Sequence, residues 1–209
     1  MYTEAFGRAS YLVSRSRGKK STVSKALFIP LSVLEMEVEH LNKRDLHRIK
    51  ETRICFPLND VCCDPVKNVL ALFLSEVLFR VVKDTEPDPR LFDYLYESIH
   101  LLEYADKGIA NFHMVFLLGL LHHLGIFPNM ESHRVGYYFD MLNGVFTDHI
   151  PMHRHYLNKV ESAFFSRLLR ISFENMSLYG FSRQERARII HRILEYYRLH
   201  LPGCTATYV

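Results

Sequence analysis

The run from Gly108 to Gly125, GIANFHMVFLLGLLHHLG, limits the possible folds more than any other stretch of this chain. Ile109, Phe112, Val115, Phe116, Leu117, Leu118, Leu120, Leu121 and Leu124 cover nearly every face of a 3.6-residue helix, so no face is left for water. Such a helix has to be wrapped by others. It is short for a membrane span, which takes about 20 mainly apolar residues. The remaining composition, 48% hydrophobic and 23% charged, is that of an ordinary globular chain. The helix is therefore the expected centre of a helical domain.

The texture changes once, near Pro57. Beyond it the signals are helical. Asp64-Pro65 reads as an N-cap and a first-turn proline, followed by Val66, Val69, Leu70, Phe73, Leu74, Val77, Leu78 and Val81 at helical spacing. The same signal recurs at Asp88-Pro89, ahead of Leu91, Phe92, Leu95, Ile99 and Leu102. Lys159 to Tyr179 predicts another helix, and Ser182-x-x-Glu185 is a capping box that opens a last one. Phe127 to Asn158, with Gly136, Gly144 and Pro151, reads as a long irregular loop or insertion. Before Pro57 the pattern is that of strands. Ala9 to Ser14 is a short apolar run, Leu34, Met36 and Val38 alternate with acidic residues, and Leu46 to Phe56 is a third candidate. Pro30 marks an edge or a bulge. The fold class expected is α+β, with a strand-rich domain over residues 1–57 and a larger all-helical domain over 58–209.

Little in the chain points to catalysis. Gly18-Lys19-Lys20-Ser21 lacks the glycine that a phosphate-binding loop needs five positions earlier, where Val13 stands. No Gly-x-Ser-x-Gly or His-Glu-x-x-His is present, and the four cysteines have neither disulfide-framework nor C-x-x-C spacing. These cysteines, with no signal peptide, place the chain in a reducing cytoplasm. His149, His153 and His155 cluster in DHIPMHRH, but Pro151 opposes a regular helix there and no cysteine or compact acidic set completes a metal site. Neither metal nor cofactor is expected. Charge is a better clue. Up to Pro57 the chain has eleven Lys and Arg against six Asp and Glu, although the whole carries only +3. Arg15, Arg17, Lys19, Lys20 and Lys25 follow a strand bearing Tyr11, and cations beside aromatics compose the nucleic-acid surface of OB-type barrels. A solvated loop has the same composition.

The residues YTEAFGRASYLVSRSRGKKSTVSKALFIPLSVLEMEV, from Tyr2 to Val38, closely resemble the OB-fold domain of the RecO family. The resemblance rests on Tyr2-Thr3-Glu4, Gly7-Arg8, Leu12-Val13, the spaced Arg15, Arg17, Lys19 and Lys20, Ser21-Thr22 and Ala26-Leu27. FLLGLLHHLGIFPN, from Phe116 to Asn129, is similar to the family's central helix and the turn after it. Departures accompany it. The family begins with one or two further strands, so Met1 is expected to be an internal start and the OB-like barrel incomplete. Ser16 stands where the family usually has a glycine. Many relatives carry a four-cysteine zinc site after the central helix, but Met130 to Asn158 contains no cysteine. The tail after Pro202 also differs from those of close relatives.

The resemblance implies a recombination mediator without catalytic activity. It would bind single- and double-stranded DNA, anneal strands, and help load the RecA recombinase onto DNA coated by single-stranded-DNA-binding protein, together with RecR, in the cytoplasm at the nucleoid. The DNA-binding residues expected are Arg8, Tyr11, Arg15, Arg17, Lys19, Lys20 and Lys25. The acidic C-terminal peptide of single-stranded-DNA-binding protein would need an apolar groove with a cation at its mouth. That groove is expected beside the central helix, with Phe112, Phe116 and Leu120 as walls and Lys107 and Arg134 at the rim. The alternatives are an OB-fold RNA- or DNA-binding module outside repair and a helical enzyme using the histidine loop.

Overall fold

Caps fix where the helices begin. In the computed structural model, which describes residues 1–13, 25–41, 45–83 and 86–201, Asp64 Oδ1 accepts from the amides of Val66 (2.7 Å) and Lys67 (3.0 Å). These are two of the donors that a helix start leaves without intrahelical partners. Asp88 does the same for Arg90 and Leu91, and both helices have proline in the first turn. Two compact units result, Met1–Ala105 and Asp106–Val209.

Among the described residues the first unit holds five strands and three α-helices. β1 (Tyr2–Thr3) pairs antiparallel with β2 (Gly7–Arg8). β3 (Ser10–Leu12), β4 (Leu34–Glu39) and β5 (Leu46–Ile54) form a mixed sheet in the order β3-β5-β4, with β3 parallel and β4 antiparallel to β5. Leu34, Met36 and Val38 are half-buried while Glu35, Glu37 and Glu39 are exposed, the two-residue period of a one-sided strand. The irregularity predicted at Pro30 falls elsewhere. Pro30 lies in a turn with Leu31 at φ 63°, and the register shift occurs between Glu37 and Val38.

Helices α1 (Asn59–Cys63), α2 (Pro65–Val81) and α3 (Pro89–Tyr104) follow, so the change from strand to helix at Pro57 lies inside this unit. Leu70, Leu74 and Val77 of α2 and Leu91, Leu95 and Leu102 of α3 are core residues, whereas Val66 and Val69 face solvent. Two buried charges tie the helices together. Glu103 Oε1 and Oε2 accept from the amides of Asp60 (2.9 Å) and Val61 (3.0 Å) at the start of α1, where the helix dipole favours an anion. Lys67 Nζ donates to the Glu103 carbonyl at 2.6 Å and lies 3.4 Å from Asp60 Oδ2.

The second unit is built on α4 (Phe112–His123), the helix read from Gly108 to Gly125. Met114, Leu117 and Leu120 have no exposed surface at all. Lys159–Leu168 forms α5 and Arg183–His200 forms α6, each opened by a complete capping box, on Asn158 with Glu161 and on Ser182 with Glu185. Tyr197 of α6 is fully buried and donates its hydroxyl proton to the Leu117 carbonyl of α4 at 2.6 Å.

The stretch Phe127 to Asn158 is not an irregular loop. It contains three short antiparallel strands, β6 (Tyr138–Asp140), β7 (Val145–Thr147) and β8 (Tyr156–Leu157), in the order β7-β6-β8. Each strand buries one apolar side chain, Phe139, Phe146 or Leu157. Phe139 lies against Phe146, Phe165 and Tyr196, with ring centroids 4.8, 4.9 and 5.9 Å away, so the sheet closes over α5 and α6 through aromatic packing. Asp140 fixes the β6–β7 turn by accepting from the amides of Leu142 (2.9 Å) and Asn143 (3.0 Å). The α+β class stands, with its helical C-terminal region carrying this small sheet.

Candidate nucleic-acid interface

Of the cations and the aromatic expected to meet DNA, the described residues include Arg8 and Tyr11 with their side chains. Arg15, Arg17, Lys19 and Lys20 lie outside the described residues, and Lys25 belongs to a 3-10 turn, Lys25–Leu27, without a described side chain. Arg8 already has partners. Its Nη1 donates to the carbonyls of Phe79 (3.0 Å) and Val82 (2.8 Å), and its guanidinium lies 4.8 Å over the Phe79 ring. Those carbonyls end α2, where the helix dipole is negative, so the cation caps the helix and ties β2 to it.

Tyr11 is half-buried on β3 and closes a series of four rings. Phe6 stacks on His40 with centroids 3.8 Å apart and planes 5° from parallel, and His40 stacks on His47 at 3.7 Å and 21°. Tyr11 then meets His47 at 5.8 Å in a tilted contact. The sheet register explains the histidine pair. Glu39 stands opposite Arg48, so the next residues outward, His40 and His47, face each other where β4 gives way to β5. His47 is buried, and its Nδ1 accepts from the Leu41 amide at 3.3 Å. Burial, and then the charge of His47, hold the His40 imidazole below its ordinary pKa. Phe6, at the β1–β2 turn, remains 36% exposed. The stack was not anticipated; two histidines seven residues apart across a short strand connection were the available signal.

Between β4 and the helices of the same unit lies a cleft of about 810 Å³, bordered by Phe6, Tyr11, Phe28, Met36, Phe79 and Tyr96 among others. Its lining is mainly apolar, and Arg8 supplies a cation at its edge.

Comparison with known proteins identifies the chain. The family described as "Recombination protein O C terminal" matches residues 63–205. The chain is 44% identical over 203 residues to the DNA repair protein RecO of Bacteroides fragilis, covering 97% of this chain and 84% of that protein. This chain belongs to the RecO family. It is also 41% identical to the RecO of Azobacteroides pseudotrichonymphae genomovar. CFP2 over 201 residues (96% of this chain, 83% of that protein) and 32% identical to that of Flavobacterium psychrophilum over 204 (97% and 84%). A role in DNA repair and recombination goes with RecO membership. The region matched by the RecO C-terminal family runs from the end of α1 through α6.

The three residues expected to wall a groove beside the central helix are buried. Phe112, Phe116 and Leu120 are 1%, 1% and 0% exposed, so they serve as core and present no wall to a peptide. An all-apolar helix turns every face inward to the core. Lys107 and Arg134 are exposed, and Arg134 Nη1 donates to the carbonyls of Glu131 (2.9 Å) and His133 (2.7 Å).

The three clustered histidines turn to different carboxylates. His149 Nδ1 is 2.9 Å from Asp148, His153 Nε2 3.2 Å from Asp140, and His155 Nδ1 3.3 Å from Glu195. Burial pushes the Asp140 carboxyl up, but hydrogen bonds from Asn143 and then the nearby His153 outweigh it and leave the pKa below the ordinary value. Burial likewise pushes the Glu195 carboxyl up, but Arg192 and then His155 outweigh it and leave its pKa below the ordinary value. Among the described residues no three His, Cys, Asp or Glu converge on a point that could hold a metal ion. Nor is any described helix long and apolar enough to cross a membrane.

Proposed function

We propose that this RecO family chain is a non-catalytic recombination mediator. It binds single- and double-stranded DNA, anneals complementary strands, and assists the loading of RecA on DNA coated by single-stranded-DNA-binding protein, with RecR as a partner, in the cytoplasm at the nucleoid. The observation that carries this reading is the similarity over 96–97% of the chain to proteins named DNA repair protein RecO. The first 57 residues supply an OB-like nucleic-acid-binding region, and the helical remainder a docking platform. Positive charge concentrated in the first 57 residues neutralises phosphates without reading bases, which suits a protein that must accept any sequence. Arg8, committed to the end of α2, acts in this reading as a support for the sheet. Arg15, Arg17, Lys19, Lys20 and Lys25 act as the phosphate ligands. The exposed Lys107 and Arg134 remain the candidate cations for the acidic C-terminal peptide of single-stranded-DNA-binding protein.

The test is a salt titration of DNA binding. Each phosphate neutralised contributes roughly 0.9 to the slope of log affinity against log salt on duplex DNA. Replacing Arg15, Arg17, Lys19 and Lys20 together with alanine should weaken binding and reduce that slope by up to about 3.6. A slope equal to that of the unaltered protein would place the DNA contacts elsewhere. Charge reversal at Lys107 and Arg134 should lower the calorimetric affinity for the acidic peptide while helical content stays constant, and normal affinity would remove both from the docking site.

A further inference from the structure

We infer that Phe6 is a stacking platform for an unpaired base of single-stranded DNA. This rests on the DNA-binding reading above and assigns a contact that charge alone does not supply. Three features of the described structure support it. Phe6 sits at the β1–β2 turn and is 36% exposed although it is a large apolar side chain. His40 covers one face of its ring at 3.8 Å in a nearly parallel contact, and the ring also borders the cleft of the first unit, where a flat ligand has room to enter. The ring is also held in orientation from behind. His40 rests on His47, and His47 is buried and anchored by the Leu41 amide, so a base stacking on Phe6 orders no additional side chain.

The chemistry selects an unpaired base. A duplex keeps its bases stacked on one another and offers no free π-face without a flipping cost, whereas every base of a single strand has one. Stacking on an aromatic side chain is indifferent to base identity, in keeping with a protein that must act on any sequence. Phe6 would therefore bias binding toward single strands, while the cations act on both forms.

The chain contains no tryptophan, which makes the experiment direct. In Phe6→Trp the indole is the only one in the protein and reports its own contacts. Titration with a single-stranded oligothymidylate should quench its emission to saturation, and a duplex of equal length should bind with little quenching. Phe6→Ala should lose about five- to a hundredfold in affinity for the oligothymidylate with an unchanged salt slope, because no phosphate contact is removed. Phe6→Tyr should restore the affinity, and circular dichroism should show the same secondary structure in all three variants. Normal binding of single strands by Phe6→Trp without quenching would overturn the platform and leave the DNA-binding reading intact. Equal quenching by single strand and duplex would overturn it as well. Failure of the unaltered protein to bind any DNA at low salt would overturn the underlying reading.

Discussion

His113 should make the second unit acid-sensitive in a way that can be isolated. It lies on α4, where burial first, and then the positive charge of Arg186, lower its pKa from 6.5 to about 4. A histidine whose folded pKa is depressed binds fewer protons in the folded than in the unfolded state. Between these two values, stability therefore falls as the pH falls. Above about pH 7.5 the group is neutral in both states and contributes no slope. The shift of about 2.5 units, at about 1.4 kcal/mol each, sets a total loss of about 3.4 kcal/mol once the pH is below 4. About 2 kcal/mol of it is already lost at pH 5. The assay is urea unfolding followed by circular dichroism at pH 7.5, 6.5, 5.5 and 5.0, for the natural chain and for His113→Leu. Other carboxylates and histidines titrate over the same range, so the informative quantity is the difference between the two slopes. The variant should lose about 2 kcal/mol less than the natural chain between pH 7.5 and 5. Parallel pH profiles would refute the argument, whatever the stability of either protein at pH 7.5.

Glu103→Ala removes the acceptor of two backbone amides at the start of α1, leaving that of Val61 buried and that of Asp60 partly so, which should cost about 2–4 kcal/mol. A chemical denaturation midpoint unchanged from that of the natural chain would show that water replaces the carboxylate. Gly144→Ala combines a left-handed backbone (φ +66°) with a new Cβ only 2.6 Å from the Tyr196 hydroxyl, whereas Gly136→Ala meets the backbone penalty alone (φ +82°, no heavy atom within 4 Å). Thermal melts should show a loss of about 1–2 kcal/mol for Gly136→Ala and about 2–4 kcal/mol for Gly144→Ala. Equal losses would mean that Tyr196 moves aside freely.

How much of this was legible in the sequence follows from the range over which each signal acts. Asp64-Pro65, Asp88-Pro89 and Ser182-x-x-Glu185 are local chemistry: a side chain caps amides two or three residues away, so the helix starts were readable without any tertiary contact. The alternation of Leu34, Met36 and Val38 was readable for the same reason. Strands β6, β7 and β8 were not. They are two or three residues long, too short to show a period, and are held by Phe139 packing on residues 26 and 57 positions later in the chain, Phe165 and Tyr196. Lys67 and Glu103 escaped in the same way, since a charge within an apolar helix reads as surface until its partner, 36 residues off, is known.

Arg8 shows why a residue list and a binding surface are different things. On sequence grounds a guanidinium two strands before a basic segment is a phosphate ligand; in the fold its Nη1 is shared between two carbonyls at the end of α2, and its plane covers Phe79. Neutralising it would disturb the sheet's attachment to the helix along with any DNA contact, so loss of binding in Arg8→Ala would not report on phosphates. The ring stack inverts the case. Phe6 carries no charge and belongs to no cationic motif, yet its ring is backed by His40, which rests in turn on His47. Discrimination between single strand and duplex requires a group that responds to unstacked bases, and cations respond to phosphates in both. Within the first unit Phe6 meets that requirement with its orientation already fixed, and so the contrast between Phe6→Ala and the four-cation variant separates strand preference from overall affinity.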